Sequence, residues 1–411
     1  MKNIWKTWQE LNKLTIGKKV VFFGKSEDWA VKTLRAISFP IEYIIDNNTT
    51  LQGTTFHELK IYSPNKLKEV NKDDIFIILT SGGYESIIPQ LTEYGFEAGK
   101  HFCCTPVMNN LKIISDIHNH QQKVLISSPD HAIYDVIDGK RGGGLYLYDL
   151  QAQDYERVFS GCFHQIAETE DNFYIIHEMD GVHIFDYNFK LLEKFAIPEG
   201  SKGHGIAYHK ERNLIFVACS GLDMVTVHDG NTGKIVEKIQ MSGKYDRLQL
   251  EQHHINDLAI SGDSLFVSCF SVGGHCPKGV YDGGIIEFNI ENPEQKHLVV
   301  RDLWMPHSPR FIGGDLCFAE SQRGHLYKTN TSIIGSFHGF TRGIAHDGQY
   351  FYVGQSENRY FDRLKGIANN ISLNAGFYLF DEESKAAKLF PMPTLRQIHD
   401  LVIFKEKGAK K

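Results

Sequence analysis

HGIAYHKERNLIFVACSGLDMVTVHDGNTGKIVEKIQM, from His204 to Met241, divides into four short apolar-rich runs, each closed by turn residues. The turn Asp229-Gly230-Asn231-Thr232-Gly233 joins the third run to the fourth, as antiparallel pairing requires. One such four-stranded unit buries little by itself and needs neighbours built the same way. The same order returns as HQIAE, FYIIHE, VHIFDYN and LLEKFAI from His164, and as HINDLAI, LFVSCF, GIIEFNI and KHLVV from His254. It returns again as HSPRFI, LCFAES, HLYKTN and IIGSF from His307, and as TRGIAH, YFYVGQS, GFYLFDE and AKLFPM from Thr341. At the C-terminus RQIHDLVIF (Arg396 to Phe404) is a first strand with nothing after it, while KVLISS, GLYLYDL and ERVFSG, between Lys123 and Gly161, lack a first strand. The repeats predict an all-β six-bladed propeller over residues 123–411, closed by the C-terminal strand. Closure removes the exposed edges that an open array would leave.

Upstream the pattern changes. KVVFF (Lys19 to Phe23), EYIID (Glu42 to Asp46) and IFIILT (Ile75 to Thr80) read as strands, and Trp29 to Ile37 and YESIIPQLTEYGF (Tyr84 to Phe96) as helices. Continuous apolar strands alternating with helices predict a small parallel sheet covered on both faces. The expected chain is therefore multidomain: an N-terminal helix in 1–17, a small α/β Rossmann-like domain over 18–106, a linker helix over 107–122, then the propeller. FGKSEDW keeps Gly24 but lacks the second and third glycines of GxGxxG, so no NAD is expected. Gly24, Asp46 and Ser81 are the residues that would bind a nucleotide-linked cofactor, Asp46 by accepting ribose hydroxyls and Ser81 at a helix start. The same residues also read as turn and cap chemistry.

Three resemblances follow from these motifs. GKSEDWAVKTLR, YIIDNN, IYSPNKL, IFIILTSGGYESI and LTEYGF resemble the degenerate Rossmann modules of bacterial sugar-modifying enzymes, among them sugar acyltransferases and sugar C-methyltransferases. The His204 to Met241 unit resembles the repeats of YVTN-type propellers. The set GGLYLYDL, HHINDLA, MPHSPR, GFTRGIA and RQIHDLVIF is similar to an uncharacterised bacterial propeller family known as a domain of unknown function. The first likeness implies a role in glycan metabolism; the propeller family implies no particular reaction.

Composition narrows the function classes. The 411 residues carry 44 Lys+Arg against 50 Asp+Glu, a net charge of −6, with no basic block, which excludes a dedicated nucleic-acid binder. No run approaches a membrane span, and Met1 to Thr15 carries Trp5, Trp8 and charges rather than the apolar core of a secretory signal, so a cytoplasmic protein is expected. Seven cysteines is an odd count, and Cys219 and Cys269 fall inside apolar strands, which suits reduced, packed thiols. Adjacent Cys103 and Cys104 have no CxxC partner pair, which argues against a cysteine zinc site.

The chemistry concentrates at one end of the propeller. The long segments SPDHAIYDVIDGKRGGG (Ser128 to Gly144), SVGGHCPKGVYDGG (Ser271 to Gly284) and SENRYFDRLKGIANNISLNAG (Ser356 to Gly376) all join second strands to third strands, so they share a face with the beginnings of the first strands. Those beginnings carry His164, His204, His254, His307 and His399, and equivalent positions on different blades converge on the axis. Imidazoles without thiolates suit a divalent metal, Zn, Mn or Fe, held by His164, His204, His254 and His399. The same ring of histidines also reads as a metal-free polar channel. Arg310, Arg342 and Asn256 would bind an anionic or sugar-like small molecule, and Glu320 with His307 would move protons. The reading is a metal-dependent lyase, hydrolase or isomerase in glycan metabolism, with a non-catalytic ligand-binding or scaffold protein as the alternative. Homo-oligomerisation is compatible with either.

Overall fold

The structure, a computed structural model, describes residues 4–130, 142–329, 332–364 and 370–406. Contacts divide the chain into two units, one ending at His118 and one beginning at Asn119.

The second unit is a six-bladed propeller of four-stranded antiparallel sheets. Five blades follow the chain, with first strands Phe163–Glu168, Gly203–His209, Ile255–Ser261, Pro306–Ile312 and Phe340–His346. In the sixth, Asp400–Phe404 pairs antiparallel with Lys123–Ser128, so both ends of the unit close the ring. Within a blade, burial falls from axis to rim: Leu214–Cys219 and Met224–Asp229 are almost wholly buried, while Ile235–Gln240 is mostly exposed. The core lies between blades. Phe216, Val225 and Val227 of the second blade pack with Leu258, Leu265, Val267 and Phe288 of the third. Burying apolar faces sheet against sheet holds the ring together.

First strands approach closely along the axis. A Cβ on Gly205 would lie 2.2 Å from the Asn256 carbonyl oxygen, so only glycine permits the contact. Polar side chains then stitch neighbouring blades. Gln165 Oε1 accepts from the N–H groups of Ile206 and Leu258, Asp400 from that of Ile166, Asp257 from that of Ser308, and Ser308 Oγ from that of Gly343. These are buried backbone donors that no sheet ladder reaches.

The N-terminal unit corrects the expected fold class. The α/β Rossmann-like sheet anticipated over 18–106 is instead a six-stranded mixed sheet, in which Thr55–Phe56 runs antiparallel to Leu59–Tyr62. Few helices accompany it: Trp8–Leu14, Trp29–Ala36 and Tyr84–Glu93 are short, and Pro64–Glu69 is only a 3-10 turn. The cause is a two-residue turn with His57 and Glu58 both at positive φ, 46° and 66°. Such a turn makes a hairpin in a sheet expected to be parallel, and it ordinarily announces itself through Asn or Gly. Helix Asn109–His118 follows a 3-10 turn at Pro106–Met108. Among the described residues no helix is long and apolar enough to cross a membrane.

Candidate active site at the channel mouth

Ile166, Ile206, Leu258, Arg310, Ile344 and Leu401 hold equivalent places against their second strands. Two residues earlier stand His164, His204, Asn256, Ser308, Arg342 and His399. In each of the first five blades the pairing is interrupted by an irregularity just before the equivalent residue. A bulge re-aims the side chains beside it, and here the re-aimed residues surround a cavity of about 180 Å³. Its walls include His164, His204, His254, His307 and Arg342 from first strands and their approaches, with Pro129, Phe270, Arg359 and Tyr360 from the loops after second strands. Of the long loops, residues 131–141 and 365–369 lie outside the described residues.

The imidazoles form one continuous row. Ring centroids are 5.4 Å apart for His254 and His204, 4.5 Å for His204 and His164, 4.5 Å for His164 and His399, and 5.9 Å for His399 and His307.

Their hydrogen-bond partners fix the tautomers. Arg342 can only donate, and its guanidinium approaches His399 Nδ1 at 3.4 Å, so that nitrogen is the acceptor. His399 Nε2 therefore carries the proton and donates to Asp257 Oδ1 at 2.7 Å. His164 Nδ1, 3.1 Å from His399 Nδ1, must then be a donor, which leaves the lone pair on His164 Nε2. His204 Nδ1 faces the Lys202 carbonyl at 3.0 Å, His254 Nδ1 the Glu251 carboxylate, and His307 Nδ1 the Met305 carbonyl at 3.0 Å. In His164, His204 and His307 Nδ1–H is donated to an orienting acceptor and Nε2 keeps its lone pair, while His254 turns Nδ1 to the Glu251 carboxylate. That is how metal-binding and proton-accepting imidazoles are held.

His164 Nε2 is buried and has no hydrogen-bond partner among the described residues. It lies 3.8 Å from Glu178 Oε2, beyond hydrogen-bond reach. The Cys162 thiol donates to the same carboxylate at 3.0 Å. Ligand atoms of Cys162, His164 and Glu178 all lie within 4.8 Å of one another, which makes this trio a candidate metal group. Strand pairing creates it: Phe163 opposes His177, and the Glu178 N–H donates to the Cys162 carbonyl.

Burial governs the protonation states. It lowers His164 to about 3, helped by the nearby His399 ring, and it drives His204, His307 and His399 well below the ordinary histidine value. These rings are neutral at neutral pH, so their lone pairs are free to accept. Burial, with Glu178 adding to it, raises the Cys162 thiol. Arg342 is 5% exposed. Burial and the charge of Arg359 pull it down to about 10, which leaves it cationic. It donates to Gln397 Oε1 at 3.1 Å, its Nε has no partner, and no carboxylate pairs with it among the described residues.

The expected site residues separate into groups. His164, His204, His254, His307, Asn256 and Arg342 line the cavity together. His399 is fully buried with both nitrogens engaged, so it orients His164 rather than offering a ligand atom. Arg310 belongs to the other end of the channel, where it pairs with Asp400 at 2.5 Å and lines a separate cavity with Glu168, His346 and Lys405. Its place in the strand is one of the aliphatic positions, past the bulge that aims side chains at the mouth.

Glu320 is buried under Trp304, Arg323 and Tyr327, all of which donate to it, and does not line the cavity. Burial would raise its carboxyl, but the His325 ring 3.3 Å away, the Trp304 N–H and the Arg323 charge hold it below its ordinary value. Cys162 and Glu178 join His164 only through strand pairing: Cys162, two residues before His164, lies beside the end of the next strand.

Gly24, Asp46 and Ser81 do meet, yet each is spent locally. Asp46 accepts from the N–H groups of Lys25 and Asn48, and Ser81 Oγ from that of Gly83. A Cβ on Gly24, at φ +108°, would lie 2.4 Å from Ser81 Cβ, so only glycine permits this close approach.

Residues 203–402 match a family described as a domain of unknown function, DUF4915. No curated protein matches the chain in sequence. Among solved structures the chain is similar to a protein of unknown function from Bacteroides caccae, at 12% identity and TM-score 0.49, covering 70% of this chain and 100% of that one. It is similar to a chain of a nidogen/laminin complex at 10% identity and TM-score 0.46, covering 70% and 99%. A third is a calcium-binding protein, regucalcin, from Agrobacterium tumefaciens, at 11% identity and TM-score 0.40, covering 55% and 72%. Likeness at this level concerns the fold alone.

Proposed function

We propose that the channel mouth is the active site of a metal-dependent enzyme, of lyase, hydrolase or isomerase type, acting on an anionic, hydroxyl-rich small molecule. The observation that carries this reading is the common orientation of His164, His204 and His307, each donating Nδ1–H outward and keeping a bare Nε2 at one cavity, which His254 also lines. A polar channel has no need of three identical tautomers. Cys162, His164 and Glu178 are the ligand set. Thiolate, imidazole and carboxylate together favour zinc over manganese, and three protein ligands leave a position for water or substrate, the pattern of catalytic zinc.

The bound ion would polarise a substrate oxygen or acidify its water. His204 Nε2 is placed to take the proton, and the buried Arg342 guanidinium to hold the anionic group. The sugar-like character of the substrate rests on this polar cavity and no longer on the N-terminal unit.

Elemental analysis of the full chain, purified without added metal or chelator, tests the reading. About one zinc per chain is expected, lost in His164→Ala and in Cys162→Ser with the thermal transition nearly unchanged. A metal-free wild-type protein that takes up no zinc on titration would leave a ligand-binding channel without this catalysis.

A further inference from the structure

A second cavity, of about 290 Å³, is lined by Tyr281, Trp304, Met305, Gln322, Asp362 and Arg363, with Gly279. It adjoins the mouth through Tyr360, which lines the first cavity, accepts from Gln322 Nε2 at 3.3 Å through its carbonyl, and carries the Arg363 guanidinium over its ring at 4.5 Å. The chemistry of the two spaces differs. The mouth is built of imidazoles and a buried cation; the second cavity sets an indole, a phenol ring and a thioether beside the Gln322 amide, the Asp362 carboxylate and the Arg363 guanidinium. Apolar walls with a few placed polar atoms mark small-molecule sites.

Three features define what it would take. Gln322 is 1% exposed, and its Nε2 contact with the Tyr360 carbonyl fixes the amide orientation. Its Oε1 is left buried with no donor among the described residues. Buried acceptors in folded proteins are rarely left unmet, so a ligand hydroxyl belongs there. The aromatic rings are each covered on one side by a guanidinium: Arg323 lies over Trp304 at 5.2 Å, and Arg363 over Tyr281 at 4.4 Å. Both rings also line the cavity. The nearest carboxylate to Arg363 among the described residues is Asp362, at 3.9 Å, which leaves guanidinium N–H groups to donate to a ligand oxygen.

We propose that this cavity is a pyranose subsite, in which a sugar ring lies against Trp304 and Tyr281, a hydroxyl donates to Gln322 Oε1, and Arg363 donates to a ring substituent. The acidic group of the same sugar, a phosphate or carboxylate, reaches Arg342 in the mouth. Sugar hydroxyls meet both an acceptor and a donor fork, and the less polar face of a pyranose suits an aromatic platform. The proposal rests on the reading of the mouth as an anion site.

Calorimetric titration of the full-length protein with glucose 6-phosphate, glucuronate, adenosine 5′-monophosphate and inorganic phosphate tests it. Glucose 6-phosphate or glucuronate is expected to bind at least tenfold tighter than phosphate. Gln322→Leu and Trp304→Leu should each erase that margin and leave phosphate binding unchanged. Gln322→Leu, of similar volume, keeps the test sound where the tryptophan variant folds poorly.

If phosphate binds and neither sugar acid binds more tightly, the subsite is wrong and the mouth reading stands. If none of the four binds, the anion reading fails and takes the subsite with it. Tighter binding of the nucleotide than of either sugar acid would replace the pyranose with a flat heterocycle.

Discussion

His164 owes its bare Nε2 to a chain of partners that begins with a guanidinium, which can only donate, and ends on Asp257, which can only accept. Breaking that chain at His399 releases the tautomer of His164 without touching a ligand atom. His399→Gln should therefore weaken zinc binding by about 10- to 100-fold, the usual effect of losing an orienting partner, as read by competition with a chromogenic chelator. Glu320→Gln should do the opposite. It should leave zinc affinity unchanged but destabilise the fold by about 2–3 kcal/mol, because the buried carboxylate answers Trp304, Arg323 and Tyr327; chemical denaturation measures it.

His183 offers a pH test away from the site. It is 2% exposed in the first blade, and burial, aided by Lys194, lowers it to about 4. The unfolded chain binds a proton near pH 6.5 that the native state refuses, so stability is complete above that pH and declines as pH falls towards 4, by up to about 1.4 kcal/mol per unit. His183→Phe should flatten this part of the stability profile measured by denaturant titration at successive pH values.

Strands and turns explain why some of this was legible in the sequence and some was not. The first strands were readable because each repeats an imidazole or arginine before an aliphatic residue, and repetition survives without knowledge of side-chain direction. The irregular pairing before Ile166, Ile206, Leu258, Arg310 and Ile344 left no such trace, so Arg310 was grouped with Arg342 although it faces the far end of the channel. Cys162 and Glu178 meet only through the pairing of neighbouring strands, information that spacing along one strand does not hold. The His57-Glu58 turn gave no warning because neither residue is typical of positive φ, so the hairpin it makes left no mark among the strands and helices read between Lys19 and Phe96. Gly205 tests the close packing of first strands. With the Asn256 carbonyl 2.2 Å from its hypothetical Cβ, Gly205→Ala must push two backbones apart. Overpacking of this kind amounts to about 1–3 kcal/mol and should lower the melting temperature by several degrees in calorimetry.

The propeller as a whole depends on its last strand. Asp400–Phe404 completes the sixth blade, His399 sits just before it, and Asp400 accepts from both the Ile166 N–H and Arg310. Deleting residues 396–411 should abolish the single thermal transition of the propeller, since it exposes the Lys123–Ser128 edge and removes the support of His164 in one step; an unchanged melting curve would show that the ring is not closed by this strand. Closure also delivers the site, because only a complete ring brings His399 of the sixth blade against His164 of the first and Asp257 of the third. The most direct measurement is optical absorption of the full-length protein loaded with Co²⁺ in place of zinc. A thiolate-to-cobalt charge-transfer band at one equivalent, absent from Cys162→Ser and from His164→Ala, is the expected result; cobalt that binds with no such band, or fails to bind, would contradict a centre built on Cys162, His164 and Glu178.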